Sequence, residues 1–167
     1  SSVSFSYSYE TIGKGAFAEC TNLFCLYYSS TIKIIGKQAF KNDSRLRFLA
    51  ETDGVNVQTV HVEIIEDEAF CKCTSLEKVY VGSDIKYIGN RAFYSCSNLT
   101  TFWIYGLIDN DLIIGEEAFC YCWDLADINI EGNVLDVKAS AFAATQWLAD
   151  YPDNHTDFNG IVYVGNC

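Results

Sequence analysis

Six Ala-Phe pairs begin at residues 16, 39, 69, 92, 118 and 141, separated by steps of 23, 30, 23, 26 and 23 residues. Recurrence of a short unit in one register marks a chain built from stacked repeats, and it constrains the fold more than any local propensity does. The fullest copy runs from Ile88 to Leu99 and reads Ile-Gly-x-x-Ala-Phe-x-x-Cys-x-x-Leu. The first copy spans Ile12 to Cys20, and the second spans Ile35 to Phe40, with Asp43 in the cysteine slot and Leu46 after it. The third runs from Ile65 to Phe70, has Glu66 in place of the glycine, and continues to Cys73 and Leu76. The fifth runs from Ile114 through Phe119 to Cys122 and Leu125; the sixth, Val137 to Phe142, fades into Thr145 and Trp147.

Each Leu opens an alternating apolar segment, as in Leu23-x-x-Leu26-x-Tyr28, Leu76-x-x-Val79-x-Val81, Leu99-x-x-Phe102-x-Ile104 and Leu125-x-x-Ile128-x-Ile130. Period-two alternation predicts a short strand with one buried face. Residues 1–11 alternate in the same way and predict another strand. In the Ala-Phe-x-x-Cys segment two bulky anchors lie three to four residues apart, which predicts one helical or 3-10 turn. A unit of strand, loop and turn is too small to bury its own apolar face, so the copies must stack and share one core.

The pattern Ile-Gly-x-x-Ala-Phe-x-x-Cys-x-x-Leu-x-x-Ile-x-Ile, over about residues 9–148, resembles the BspA-like class of leucine-rich repeats. The stretch from Trp147 to Gly165 resembles the non-repeat ending of such arrays. The resemblance implies an α/β fold: a right-handed leucine-rich-repeat solenoid with a concave parallel β-sheet and short helical or 3-10 turns on the convex side. One domain is expected over residues 1–167, with about six coils in 1–142 and a C-terminal cap in 143–167. Members of the family are mostly secreted or surface proteins of bacteria and parasitic protists, implicated in adhesion and protein binding, with no catalytic motif to carry over. The sequence departs from the pattern at Asp43, Glu51 and Glu66 and lacks the usual Pro after the strand, so altered packing is expected mainly in the second repeat.

Composition narrows the class of partner. Half of the 167 residues are apolar and only one is Pro, an ordered composition. No apolar run approaches the roughly 18 residues that span a bilayer. There is no basic segment followed by an apolar one at the start, so any signal peptide is expected to be removed or to lie outside this sequence. The chain opens in mid-coil, as a fragment of a larger protein would. Residues 1–48 carry six Lys/Arg against three Asp/Glu, whereas residues 49–167 carry five against nineteen. Such a surface repels phosphate backbones and anionic membranes, which argues against nucleic acid and membrane insertion, and it favours a cationic protein patch. It also serves simply to solvate the surface.

Outward strand positions lie two and four residues after each Leu. The four-residue position reads Tyr27, Ala50, Tyr80, Trp103, Asn129, and the two-residue position reads Cys25, Phe48, Lys78, Thr101, Asp127. Tyr27, Phe48, Tyr80, Trp103 and the adjoining Tyr105 are the expected binding residues, as an exposed aromatic stripe on the concave face. Rigid aromatics with a polar tip anchor protein interfaces and also stack on sugars. The competing explanation is that aromatics favour strands and pair across them. Two lengthened connections, around residues 50–59 and 105–112, are expected to project from one edge of the solenoid, as part of the binding surface or as tolerated surface loops.

The remaining chemistry-bearing residues have structural explanations. Cys20, Cys73, Cys96 and Cys122 share a repeat slot in which Cys acts as a small buried hydrophobe, and their parallel Cβ vectors oppose a disulfide. Cys25 and Cys167 fall outside that slot and are the expected reactive thiols. Cys71-x-Cys73 and Cys120-x-Cys122 are two coils apart, too far to share a zinc ion. His61 and His155 lack triad spacing, and Asp109-Asn110-Asp111 lacks the glycine and distal Glu of a calcium loop. No metal, cofactor or catalytic role is expected. Asn42, Asn98 and Asn154 open glycosylation sequons, which matter only in a eukaryotic secretory pathway. The expected function is thus a non-enzymatic protein-binding or adhesion module, extracellular or at the cell surface. Its partner is a host or extracellular-matrix protein, or alternatively a glycan. A structural spacer within a larger surface protein is the third reading.

Overall fold

The computed structural model describes residues 2–4, 9–28, 31–51, 59–60, 62–107, 112–132 and 134–150. Every repeat contributes two strands. Those after the Leu are β3 (Cys25–Tyr28), β5 (Phe48–Glu51), β8 (Lys78–Val81), β10 (Thr101–Ile104) and β12 (Asp127–Ile130), with β1 (Ser2–Ser4) at the same position beside β3. Those ending at or next to the Ile-Gly step are β2 (Thr11–Ile12), β4 (Ile34–Ile35), β7 (Ile64–Ile65), β9 (Tyr87–Ile88), β11 (Leu112–Ile114) and β13 (Val134–Val137). The second group forms one six-stranded sheet in the order β13-β11-β9-β7-β4-β2, and every pair is parallel. The chain is therefore a parallel-strand, leucine-rich-repeat-like solenoid. Among the described residues there is one short helix, α1 (Gln146–Asp150). Its Trp147 packs against Phe142 at 5.4 Å, and residues 151–167 of the expected cap lie outside the described residues.

The repeat phenylalanines form the spine of the core. Phe17, Phe40, Phe70, Phe93, Phe119 and Phe142 stack face to face with centroid separations of 5.3, 5.2, 5.2, 5.1 and 5.0 Å and interplanar angles of 3–10°. These spacings match the distance between neighbouring strands. Phe17 is half-buried at the end of the column and the other five are buried. Gly36, Gly89 and Gly115 of the motif sit where the backbones of neighbouring coils meet. A Cβ on Gly89 would lie 2.4 Å from the Asp67 nitrogen, whereas one on Gly13 in the first repeat would meet nothing within 4 Å.

The Ala-Phe-x-x-Cys segments are not helical, which corrects the sequence expectation. Each is a run of tight turns with two residues in the left-handed region. One precedes the Ala (Gly15, Gln38, Glu68, Arg91, Glu117, Ser140) and the other lies two after the Phe (Glu19, Asn42, Lys72, Ser95, Tyr121, Ala144), with φ between 52° and 66°. The physical reason is hydrogen-bond alternation. The alanine N–H donates three residues back, as Ala92 does to Gly89 O at 3.2 Å. The phenylalanine N–H instead donates to the next repeat: Phe17 to Ala39, Phe40 to Ala69, Phe70 to Ala92, Phe93 to Ala118 and Phe119 to Ala141, at 2.7–2.8 Å. A helix would direct every N–H within its own coil, so alternation joins the coils at the cost of left-handed strain. Ala144→Gly should relieve about 1 kcal/mol of that strain and raise the melting temperature.

Ion pairs cross from repeat to repeat. Lys33 and Lys86 flank Glu63 at 3.8 and 3.3 Å, Lys37 meets Asp67 at 3.5 Å, Lys41 meets Glu68 and Arg47 meets Glu77. The cations of the second repeat thus face the acids of the third. Each half-exposed pair contributes little stability.

In the cysteine slot, buried thiols donate to the phenylalanine carbonyl of the preceding repeat. Cys73 reaches Phe40 O, Cys96 reaches Phe70 O and Cys122 reaches Phe93 O, at 3.0–3.1 Å. Cys20 departs from this expectation because the first coil has no described neighbour on that side; it is exposed. Cys25, expected outward, is buried, and Cys167 lies outside the described residues. Asp43 occupies the same slot fully buried, and neither carboxyl oxygen has a hydrogen-bond partner. Burial pushes its carboxyl up to about 7.

Candidate functional site

Strands β8, β10 and β12 pair in the register expected from their Leu positions: Lys78↔Thr101↔Asp127, then Tyr80↔Trp103↔Asn129. Alternation directs Val79, Val81, Phe102 and Ile104 into the core and leaves Tyr80 and Trp103 on the outer face. Thr101 is an exception: expected outward, it is buried, with its hydroxyl 3.4 Å from that of Thr100.

Tyr80, Trp103 and Tyr105 form a cluster. The Trp103 ring meets Tyr80 at 5.8 Å and 74° and Tyr105 at 5.8 Å and 77°, while Tyr80 and Tyr105 lie 6.2 Å apart. All three are half-buried, so mutual packing holds each ring on the face at a fixed angle. The indole Nε1 of Trp103 is buried without a hydrogen-bond partner. Leaving a buried donor unpaired costs roughly 1–3 kcal/mol. Beside the rings stand strand β12 and the residue that follows it, with Asp127, Asn129 and Glu131 all exposed. The Glu131 carboxylate accepts the Gly106 N–H at 3.2 Å. Burial raises the Tyr105 phenol above its ordinary range, with further contributions from Tyr80, Glu131 and Asp127.

The expected stripe does not run unbroken through the array. Tyr27 and Phe48 belong to a separate sheet, β1-β3-β5, and stand on different rungs: Cys25 pairs with Phe48 and Tyr27 with Ala50. Their side chains lie outside the described residues. Where β5 would continue beside β8, a two-residue strand from the first long connection intervenes. This is β6 (Thr59–Val60), which pairs as Thr59↔Tyr80 and Val60↔Val81. The longer step there supplies the chain for an added strand, so this connection returns to the sheet instead of projecting wholly as a loop. In the second long connection Leu107 and Leu112 are buried, and residues 108–111 lie outside the described residues.

A second aromatic group escaped the sequence reading because it sits in turns, away from strand alternation. Tyr94 and Tyr121 meet edge to face at 5.3 Å, and Tyr121 leads to Trp123 at 5.4 Å. Trp123 is 56% exposed, more than any ring of the strand-face cluster. The Arg91 guanidinium lies 5.5 Å from the Tyr94 ring centre and pairs with Glu117 at 2.5 Å. The available signal was two bulky aromatics flanking Cys122, where no other copy carries an aromatic residue.

Among the described residues no group of three His, Cys, Asp or Glu side chains could hold a metal ion. His61, His155, Asn154 and Asp109-Asn110-Asp111 lie outside them. Of the other sequons, Asn98 is exposed and Asn42 is half-buried beside the buried Asp43. No helix among the described residues is long and apolar enough to cross a membrane.

The family model for the BspA type leucine rich repeat region matches in six copies, over residues 1–58 and 50–159. No curated protein matches the sequence. Among solved structures, the leucine rich repeat protein of T. pallidum is similar at 19% identity and a TM-score of 0.64, over 87% of this chain and 76% of that one. A leucine rich cell surface protein of Faecalibacterium prausnitzii A2-165 is similar at 22% identity and a TM-score of 0.66, over 86% of this chain. A leucine-rich repeat protein of Bacteroides ovatus ATCC 8483 is similar at 25% identity and a TM-score of 0.71, over 90% of this chain. The chain spans 39% and 38% of the length of the last two.

Proposed function

This chain belongs to the BspA-type leucine-rich repeat family, and from that premise we propose that it is a non-enzymatic binding module of a secreted or cell-surface protein. It engages a protein partner through a concave face centred on Tyr80, Trp103 and Tyr105, with Tyr27 and Phe48 included by their repeat positions. The array winds right-handed, as parallel crossovers do, and forms one domain capped by residues 143–167. The observation that carries this reading is the cluster of three half-exposed rings held at fixed angles around a buried, unpaired indole N–H. An aromatic surface of this kind calls for an explanation, and a partner supplies one. That the F. prausnitzii neighbour is a cell surface protein supports the location.

A neutral glycan is the second reading, favoured by phenolic rings and the exposed Asn129 amide on one face. Protein and glycan arrays, probed side by side with the wild type and Tyr80→Ala/Trp103→Ala, separate the two. Protein hits lost in the variant support the first reading, and glycan hits alone support the second. Hits retained by the variant remove this face from consideration. The rings are half-buried, so the double variant should lose a few degrees of melting temperature and keep its fold.

A further inference from the structure

We infer that the partner presents a basic segment to this face, with a Lys or Arg cation seated over the Trp103 and Tyr105 rings and against Asp127 and Glu131. The inference deepens the binding-face reading and rests on it. Two separate features select the same ligand chemistry. The faces of aromatic rings attract cations, tryptophan most strongly. Strand β12 and the residue after it set two exposed carboxylates near those rings, Asp127 on the rung of Thr101 and Glu131 directly after Ile130.

Charge across the rest of the molecule agrees. The cations of the second repeat are engaged with acids of the third, and Arg47 is held by Glu77. Lys78 lies on β8, separated from Asp127 by β10. Asp127 and Glu131 have no ion-pair partner among the described residues. Residues 49–167 carry nineteen Asp/Glu against five Lys/Arg, so the far field draws a cationic partner toward the same end of the array.

The test is selection of a phage-displayed random dodecapeptide library on immobilised wild-type protein, with Tyr80→Ala/Trp103→Ala/Tyr105→Ala and Asp127→Asn/Glu131→Gln selected in parallel. Circular dichroism and unfolding curves verify that both variants fold. The expected result is a wild-type-specific peptide set enriched in Lys and Arg. Those peptides should lose about tenfold or more in affinity with either variant, a loss of about 1.4 kcal/mol. The aromatic variant keeps the net charge, so non-specific attraction to an acidic protein would survive in it. A wild-type-specific set without basic enrichment overturns the cation inference and leaves the binding face standing. Selection of the same peptides by the wild type and the aromatic variant overturns both.

Discussion

Asp43→Cys should stabilise the fold by about 4 kcal/mol at pH 8, and by roughly 1–2 kcal/mol at pH 5. Asp43 is fully buried in a slot where three other repeats place a thiol donating to the preceding phenylalanine carbonyl. Its carboxyl is pushed from 3.8 to about 7 because burial disfavours the anion. Between those values the folded state keeps a proton that the unfolded state releases, so stability falls as pH rises from about 4 to about 7 and is then level. The cysteine is neutral throughout this window, so its advantage grows with pH and follows the same curve. Glu68 has the opposite slope: its carboxyl is lowered first by the hydrogen bond from Lys41, and its stabilisation is lost as pH falls through the depressed value. The difference between variant and wild type therefore isolates Asp43. Urea unfolding at pH 5, 6 and 8 checks it, staying above the sequence pI of 4.4, where association intrudes. A gain equal at every pH would assign the effect to packing. No gain at pH 8 would mean the ionised carboxylate is accommodated at no cost.

What the sequence made legible was whatever repeats. The column from Phe17 to Phe142 follows from the register of the Ala-Phe pairs and the pairing of Tyr80 with Trp103 from a fixed offset after each Leu, because like neighbours above and below enforce a single register. Features that depend on a single coil were hidden. Hidden too, although they recur in every coil, were the left-handed residues: they are chosen by hydrogen bonding to the next repeat, and apart from Gly15 and Asn42 they are residues such as Glu68, Arg91 and Tyr121 that do not announce that conformation. The strand Thr59–Val60 lies in a lengthened connection with no counterpart elsewhere, so no internal comparison could place it. At the candidate site, alternation identified the rings but not their burial. Tyr80, Trp103 and Tyr105 shield one another, and the stripe drawn through Tyr27 and Phe48 stops at β6. The exposed Trp123 was missed because turn positions have no inward or outward rule to read.

Phe93→Ala should cost about 4 kcal/mol, whereas Phe17→Ala should cost only about 1. The two residues hold the same motif position and differ in what surrounds them. Phe93 is fully buried, with Phe70 at 5.2 Å, Phe119 at 5.1 Å and Phe102 edge-on at 5.6 Å. Phe17 is half-buried and has one stacking partner in the column, Phe40 at 5.3 Å. Removing the ring in mid-array leaves a cavity bounded by backbones that the Phe70–Ala92 and Phe93–Ala118 hydrogen bonds hold at fixed spacing, so the site cannot collapse to fill it. In a solenoid each coil is stabilised through its neighbours, so a defect in the middle uncouples the two halves while one at the end frays a single coil. The tryptophans provide the measurement, since all three, Trp103, Trp123 and Trp147, lie after residue 93. In Phe93→Ala, tryptophan fluorescence should report a transition separate from the one seen by far-ultraviolet circular dichroism, which averages both halves. In Phe17→Ala the two probes should still coincide. Coincident transitions and a small loss for Phe93→Ala would show that coil-to-coil coupling resides in the backbone ladders and not in the ring stack.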